Sequence, residues 1–443
     1  MLGLNRTTVS AAYELLESEG LIKGHVGRGS FVQGPGASGN GLRWPELLAE
    51  YDAALPALPA SVEISFATSR PAELLFPLDE FRAVCDEVMR SDELGAILQL
   101  GVPNGYAPLR AHLLQEAQHA GVARPSDDIT ITSGCQQALD LIQRVLTKPG
   151  DVVMAEDPVY PGLAQVFTRG RARLTGIPVG ADGMDIDQLQ RAIAREKPKL
   201  LLITSSFQNP TGATLPLPAR HSLLRAARQA GTVVVENDIY ADLRYEGSPL
   251  PSLKQLDETG DVILLRSFSK IAFPGLRVGW VIAPRPVTAA LAAAKQWCDL
   301  HSDQFSQAVL LRFAESGRLR RHLERVVAAG TERLRAVLDA CDRYLPAGSR
   351  CTRPQGGMNL WVELPDPLDS GELLNRAQRD GVSYLPGKFF AVSRPQPNGL
   401  RLSFAGLPPE KIRRGVEILG TVFSAEWERL RAARRREPAP AMV

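Results

Sequence analysis

Residues 267–280 read SFSKIAFPGLRVGW. Lys270 follows an apolar run and two serines, then come a Pro-Gly turn and, seven residues on, Arg277. A lysine among apolar neighbours is costly unless its charge is paired or its amine is chemically committed. A lysine amine of lowered basicity condenses with an aldehyde to give a Schiff base. Ser267 and Arg277 offer a hydroxyl and a planar fork, donors that suit a dianionic phosphate. Lys270 on its own would read as a surface lysine in a loop; the polar residues around it argue otherwise. Asn209 stands in SSFQNPTG behind the run KLLLIT, and Asp238 and Tyr240 stand in VVVENDIY. TSGCQQAL, residues 132–139, reads as a strand end followed by a helix start, where backbone N–H groups and the helix dipole favour a phosphate.

These residues need strands to hold them. DITITSG, DVVMAED, KLLLITSS, GTVVVEND, DVILLRSFSK and RVGWVIA are short, β-branched and bounded by Gly, Pro or Asp. Such runs suit strands covered on both faces. Helical patterns at 136–146, 186–195 and 218–230 lie between them. The alternation predicts a mostly parallel sheet with helices on its faces, and ligand sites in such sheets gather at the carboxyl ends of strands.

The bulk properties bound the answer. The chain has 443 residues, 44% of them hydrophobic and 23% charged, with a net charge of +2, so neither wholesale disorder nor a global basic field is present. The five cysteines (Cys85, Cys135, Cys298, Cys341, Cys351) form no CxxC pair, and the six histidines show no metal spacing, so no metal is proposed. No run reaches the ~18 apolar residues of a membrane span, and the N-terminus lacks the apolar stretch of a secretory signal. The expectation is a cytoplasmic protein without a membrane partner.

Taken together, Asn209, Asp238-x-Tyr240, Ser267-x-Ser269-Lys270 and Arg277 resemble, in order and spacing, the fold-type I, aspartate-aminotransferase-like enzymes that use pyridoxal 5′-phosphate (PLP). The resemblance covers nearly all of residues 62–423. It implies an α/β fold, with a large domain at about 86–315 on a mostly parallel sheet of the seven-stranded type. A smaller α+β domain would be made of about 62–85 and 316–430. It also implies roles. Lys270 carries the cofactor and then moves a proton between the substrate Cα and the cofactor. Asp238 lies beneath the pyridine nitrogen and favours its protonated form. Asn209 and Tyr240 donate to the ring oxygen, Tyr240 completing the catalytic set with Lys270 and Asp238. Tyr160, in EDPVYPG, stacks on the ring. Gly134, Cys135 and Gln136 join Ser267 and Arg277 around the phosphate, Cys135 serving through its backbone rather than as a nucleophile. Arg401, in NGLRLSFA, clamps the α-carboxylate of an amino acid beside Asn209. Because such sites are built at a subunit interface, a homodimer is implied.

Two positions depart from the family pattern. Leu100 stands where a tyrosine usually reaches the neighbouring subunit's cofactor phosphate, which removes one hydroxyl contact, about 1 kcal/mol of net binding. Ser69 stands where glycine is frequent in the substrate-side loop.

The front of the chain has another texture. NRTTVSAAYELLESE, residues 5–19, predicts a capped amphipathic helix, and LIKGHVGRGSFV predicts two short strands around a Gly-rich turn. These residues resemble the recognition helix and wing of GntR-type winged helix-turn-helix regulators. The expected divisions are a partial winged helix at 1–33, a Gly-, Ser- and Pro-rich linker at 34–61 and a PLP domain at 62–443. The resemblance points Arg6, Thr7, Thr8 and Arg28 at DNA. Two helices that a winged helix needs before this point are not in the sequence, so DNA is expected as a partner only if an upstream extension completes the head. Winged helix, linker and aminotransferase-like domain together resemble the MocR subfamily, in which the PLP domain senses an amino acid or PLP itself. That regulator is the first reading. An active aminotransferase of the aminoadipate or kynurenine type, with a vestigial N-terminal arm, is the alternative.

Overall fold

All six β-branched runs are strands: Asp127–Thr132, Val152–Asp157, Leu200–Ile203, Val233–Asn237, Val262–Ser267 and Gly279–Pro284. With Arg173–Gly180 and the two-residue Gly183–Met184 they make one eight-stranded sheet. Its order is 127–132, 279–284, 262–267, 233–237, 200–203, 152–157, 173–180, 183–184. Gly279–Pro284 runs antiparallel to both of its neighbours. The pairings from 262–267 across to 173–180 are all parallel. Seven longer strands form the sheet type the sequence implies. The eighth is a short hairpin return pairing Val179 with Met184. Arg173–Gly180 does not stand out in the sequence as a strand because it is mostly half-buried and carries Arg, Thr, Gly and Pro.

In this computed structural model the described residues are 6–18, 21–25, 29–32, 44 and 62–436. Two compact units divide the chain, Met1–Ala57 and Leu58–Val443.

The helices of the larger unit start and stop for local reasons. Asp185 caps Ile186–Glu196 by accepting from the Gln188 N–H at 2.9 Å. Leu217–Ala230 ends at Gly231, which is left-handed at φ 65°. Cys135–Leu146 begins at Gly134, φ 78°. Its buried face, Ala138, Leu139, Leu141 and Ile142, packs in one core with Val153, Val235 and Leu265 of the strands.

A second, four-stranded antiparallel sheet joins Arg350–Cys351, Asn359–Glu363, Gly399–Ser403 and Leu385–Pro386. Ile64–Ser65 pairs with Val382–Ser383, and the Ser403 N–H donates to the Phe66 carbonyl at 3.0 Å. This ladder fixes residues 64–66 and aims the loop that follows, through Ser69, at the end of the large sheet.

The smaller unit contains the helix Arg6–Ser18 and an antiparallel hairpin, Ile22–His25 with Gly29–Val32. The apolar stripe of the helix, Val9, Tyr13, Leu15 and Leu16, is 37–60% exposed. Residues 33–61, Trp44 apart, and 437–443 lie outside the described residues. No helix among the described residues is long and apolar enough to cross a membrane.

Candidate active site

Lys270 ends a short 3-10 turn, Phe268–Lys270, that continues directly from the strand Val262–Ser267. Ser267 closes that turn. Its hydroxyl oxygen accepts from the Ser269 N–H at 3.0 Å and donates to the Val278 carbonyl at 3.0 Å. The Ser267 proton thus has two acceptors, the Val278 carbonyl and Ser269 Oγ at 2.9 Å, and the hydroxyl that faces Arg277 is that of Ser269, with Arg277 Nη1 at 3.4 Å. The Lys270 ammonium donates to the Ser69 carbonyl at 2.7 Å and lies 5.8 Å from the centre of the Tyr240 ring.

Arg277 is left-handed at φ 56° and exposed, and it reaches across to the Ser133 carbonyl at 3.3 Å. A Cβ on Gly134 would stand 2.3 Å from Arg277 Nη2, and one on Gly279 would stand 2.9 Å from the Gly134 Cα. Gly279 is required by this close approach of backbone, and Gly134 by its left-handed φ of 78°. The result is a cradle of an arginine fork, the Ser269 hydroxyl and the first N–H groups of Cys135–Leu146, a set suited to an anion with several oxygens. Cys135 contributes its backbone; its thiol contacts the Arg266 carbonyl at 3.4 Å. Burial pushes that thiol up to about 12, against the pull of Arg277 and Lys270, so it remains protonated near neutral pH. Gln136 is exposed, and its amide donates to the Gly162 carbonyl at 2.9 Å.

Asp238 follows the strand Val233–Asn237. Its side chain is 1% exposed, and one carboxylate oxygen accepts from Arg266 Nε at 3.1 Å and Nη2 at 2.6 Å. The other oxygen is buried and has no hydrogen-bond partner. A buried carboxylate oxygen without a donor is costly, which marks this atom as awaiting one.

Asn209, Tyr240 and Arg401 form one chain of contacts. Arg401 Nη1 donates to Asn209 Oδ1 at 3.0 Å, and Asn209 Nδ2 donates to the Tyr240 hydroxyl at 3.4 Å. Arg401 also donates to the Ala67 carbonyl, lies 5.1 Å from the Phe390 ring centre, and keeps its Nε buried without a partner. Burial brings the Arg401 guanidinium down to about 10, with Tyr240 and Tyr160 opposing the shift. Tyr160 is 39% exposed and stands at the start of the helix Pro161–Arg169. Burial raises the Tyr160 phenol, Tyr240 adds to that, and Arg401 and Arg277 pull it back. Its ring is therefore within electrostatic reach of both arginines.

The sequence motifs name Ser69 and Ser269 without assigning them the contacts they make with Lys270 and Arg277, and no motif points to Arg266. Ser269 carries a usable signal, as the second serine before the lysine. Leu100 is exposed, alongside Leu98 and Val102. The backbone of Arg6, Thr7 and Thr8 lies in the first helix. Their side chains, and the whole of Arg28, lie outside the described residues.

Comparison with known proteins agrees with this geometry. Residues 76–419 match the family described as aminotransferase class I and II. The chain is 42% identical over 361 residues to a 2-aminoadipate transaminase of Thermus thermophilus, covering 81% of this chain and 89% of that protein. The crystal structure of an α-aminoadipate aminotransferase from the same species, complexed with N-(5′-phosphopyridoxyl)-L-leucine, superimposes with a TM-score of 0.81. It is 38% identical and covers 87% of this chain and 100% of that one. The chain is also 30% identical over 433 residues to the HTH-type transcriptional regulator YdcR of Escherichia coli, covering 95% of this chain and 92% of that protein.

Proposed function

Because the chain belongs to the class I and II aminotransferases, we propose that residues 62–443 transfer an amino group between an amino acid and a 2-oxo acid, with substrates of the aminoadipate or kynurenine type. Pyridoxal 5′-phosphate is the cofactor, and the residues present fit it. The cradle of Gly134, Cys135, Ser269 and Arg277 suits its phosphate, and the unpartnered oxygen of Asp238 suits a protonated ring nitrogen. When bound, the cofactor supplies the aldehyde and the electron sink that let a Cα–H bond break. The chain does the rest. Lys270 would hold the aldehyde through its amine, with loss of water, and once the substrate amine displaced it the freed amine would take up the Cα proton. Asn209 and Tyr240 donate hydrogen bonds to the ring oxygen, and Tyr160 covers the ring. Arg401 pairs with the substrate α-carboxylate, presenting its unpartnered Nε and fixing the Cα–H direction.

The carrying observation is the meeting of four separate sequence motifs: Lys270 lies 5.8 Å from the Tyr240 ring, Asn209 donates to Tyr240, and Arg401 donates to Asn209, with the half-satisfied Asp238 two residues before Tyr240. Added PLP should give the protein a visible absorption band. Borohydride followed by peptide mapping should then recover a phosphopyridoxyl group on Lys270, and an amino-acid panel should bleach the band. A protein that stays colourless with excess PLP overturns the reading.

A second reading has its own support. The similarity to the regulator YdcR covers 95% of this chain, so it extends in front of residue 62, beyond the PLP domain alone. On this reading the chain is a MocR-type member of the GntR regulators, with residues 1–33 as part of a DNA-binding head, 34–61 as linker, and the PLP domain sensing an amino acid or PLP. Arg6, Thr7, Thr8 and Arg28 would face DNA, and a homodimer would place two heads. Its mark is a spectral shift with amino acids in place of bleaching, together with retardation of its own upstream DNA. Bleaching without retardation, with or without in-frame upstream residues, leaves the enzyme alone standing.

A further inference from the structure

Arg266 is the one residue of the strand Val262–Ser267 that is not buried, in a run that otherwise reads as a sheet interior. An arginine in such a run is costly unless it is paired. The parallel register explains its partner. Leu265 lies opposite Asn237, so the next residue on each strand, Arg266 and Asp238, point to the same side. The Asp238 N–H donates to the Leu265 carbonyl at 2.9 Å and locks that register at the strand ends.

The contact is lopsided. Two N–H groups of the guanidinium converge on a single oxygen of Asp238, and nothing among the described residues donates to the other. A fork on one oxygen fixes the plane of the carboxylate and leaves the second oxygen for a ligand donor. The surroundings make a cation necessary. Glu236 lies close enough that burial and the negative charge of Asp238 push it up to about 7. Asp242 lies 4.0 Å from Arg266 Nη1, and the buried Arg220 is the other cation that interacts with Asp238 and Glu236. Without Arg266, a nearly fully buried Asp238 would face Glu236 and Asp242 with Arg220 as the one balancing charge among these groups.

Resting on the cofactor reading above, we propose that Arg266 is a positioning residue for the cofactor. It grips one oxygen of Asp238 so that the other is held toward the ring nitrogen of PLP. Arg266 acts through Asp238 and touches no reacting atom.

The test uses the full chain, with PLP itself as the probe, and compares R266Q, R266K, D238N and the double variant R266Q/D238N. Thermal melting without PLP checks the fold of each. R266Q should weaken PLP binding, read by spectral titration, about 10-fold or more, because a charge-assisted fork is lost. The pH midpoint of the visible band should move up in R266Q, because removing a nearby positive charge favours the protonated chromophore. R266K keeps the charge but not the fork, so it should lose affinity only about 3-fold and hold its midpoint. Added to D238N, R266Q should change affinity by less than about 2-fold.

A folded R266Q with unchanged affinity and midpoint overturns the proposal. So does an equal loss in the D238N background, which would mean that Arg266 meets the cofactor directly. If D238N holds too little PLP to titrate, the R266Q midpoint decides. If R266Q does not fold, wild-type affinity in R266K overturns it. Failure of the wild-type chain to bind PLP would instead remove the proposed function.

Discussion

Two arginines mark the two ends of the site, and they are held in opposite ways. Arg401 is 4% exposed, bound to Asn209 and Ala67, and seated against Phe390. Arg277 is exposed, and its three contacts, to Ser269, Pro274 and Ser133, are 3.3–3.4 Å long. A guanidinium tied down before its ligand arrives loses little freedom on binding and gains orientation. One held by long contacts supplies charge first and order second. The end proposed to set the Cα–H direction is therefore rigid, and the end proposed to anchor a phosphate is adaptable. The difference lies in what packs behind each arginine, since both are the same residue type.

Both ends depend on the amine between them. Lys270→Ala should lower transamination about 1000-fold or more and abolish borohydride labelling, read by steady-state rates and peptide mapping. Retained labelling at another lysine would separate the two arginines from the chemistry. Arg401→Ala should lower kcat/KM about 100-fold, most of it in KM, because it removes the carboxylate partner and leaves Asn209 Oδ1 without its donor. Arg277→Ala should cost about 10-fold in PLP affinity, with the rate restored by excess PLP. If excess PLP also rescues Arg401→Ala, the contrast between the two ends is wrong.

A pH series sharpens the same contrast. Arg401 is cationic below its lowered value of about 10 and neutral above it. Affinity for a 2-oxo acid, which has no amine of its own to titrate, should hold level to about one unit below that value and fall as the pH rises through it. Arg401→Lys should change that profile, and Arg277→Ala should not. The smallest expected effect is Cys135→Ser. A thiol raised to about 12 is no nucleophile at neutral pH, so the rate should stay within about 3-fold of wild type.

Much of this is legible in the chain, for physical reasons. Strands covered on both faces read as continuous apolar runs, so six of them stand out, and the polar residues at their ends are the candidates for ligands. Arg173–Gly180 stays hidden because a half-buried strand near the sheet edge need not be apolar. Lys270, Asp238, Tyr240 and Asn209 are readable because they follow strands, Asn209 one, Asp238 and Tyr240 a second and Lys270 a third. Ser267 reads in the sequence as a phosphate donor; its hydroxyl reaches both the Val278 carbonyl and Ser269 Oγ, and backbone conformation is what sets Ser269 against Arg277.

The sequence by itself determined which residue types stand at strand ends, because local patterning sets the strands and the strands set their ends. Tertiary structure decided who meets whom. Asn209 and Arg401 touch across 192 residues, and Lys270 and Ser69 across 201, because a ladder of residues 64–66 on 381–383 brings the front of the domain over the sheet. The Arg266–Asp238 pair needed the order of the strands as well as their register, and strand order is set by how the connecting helices pack.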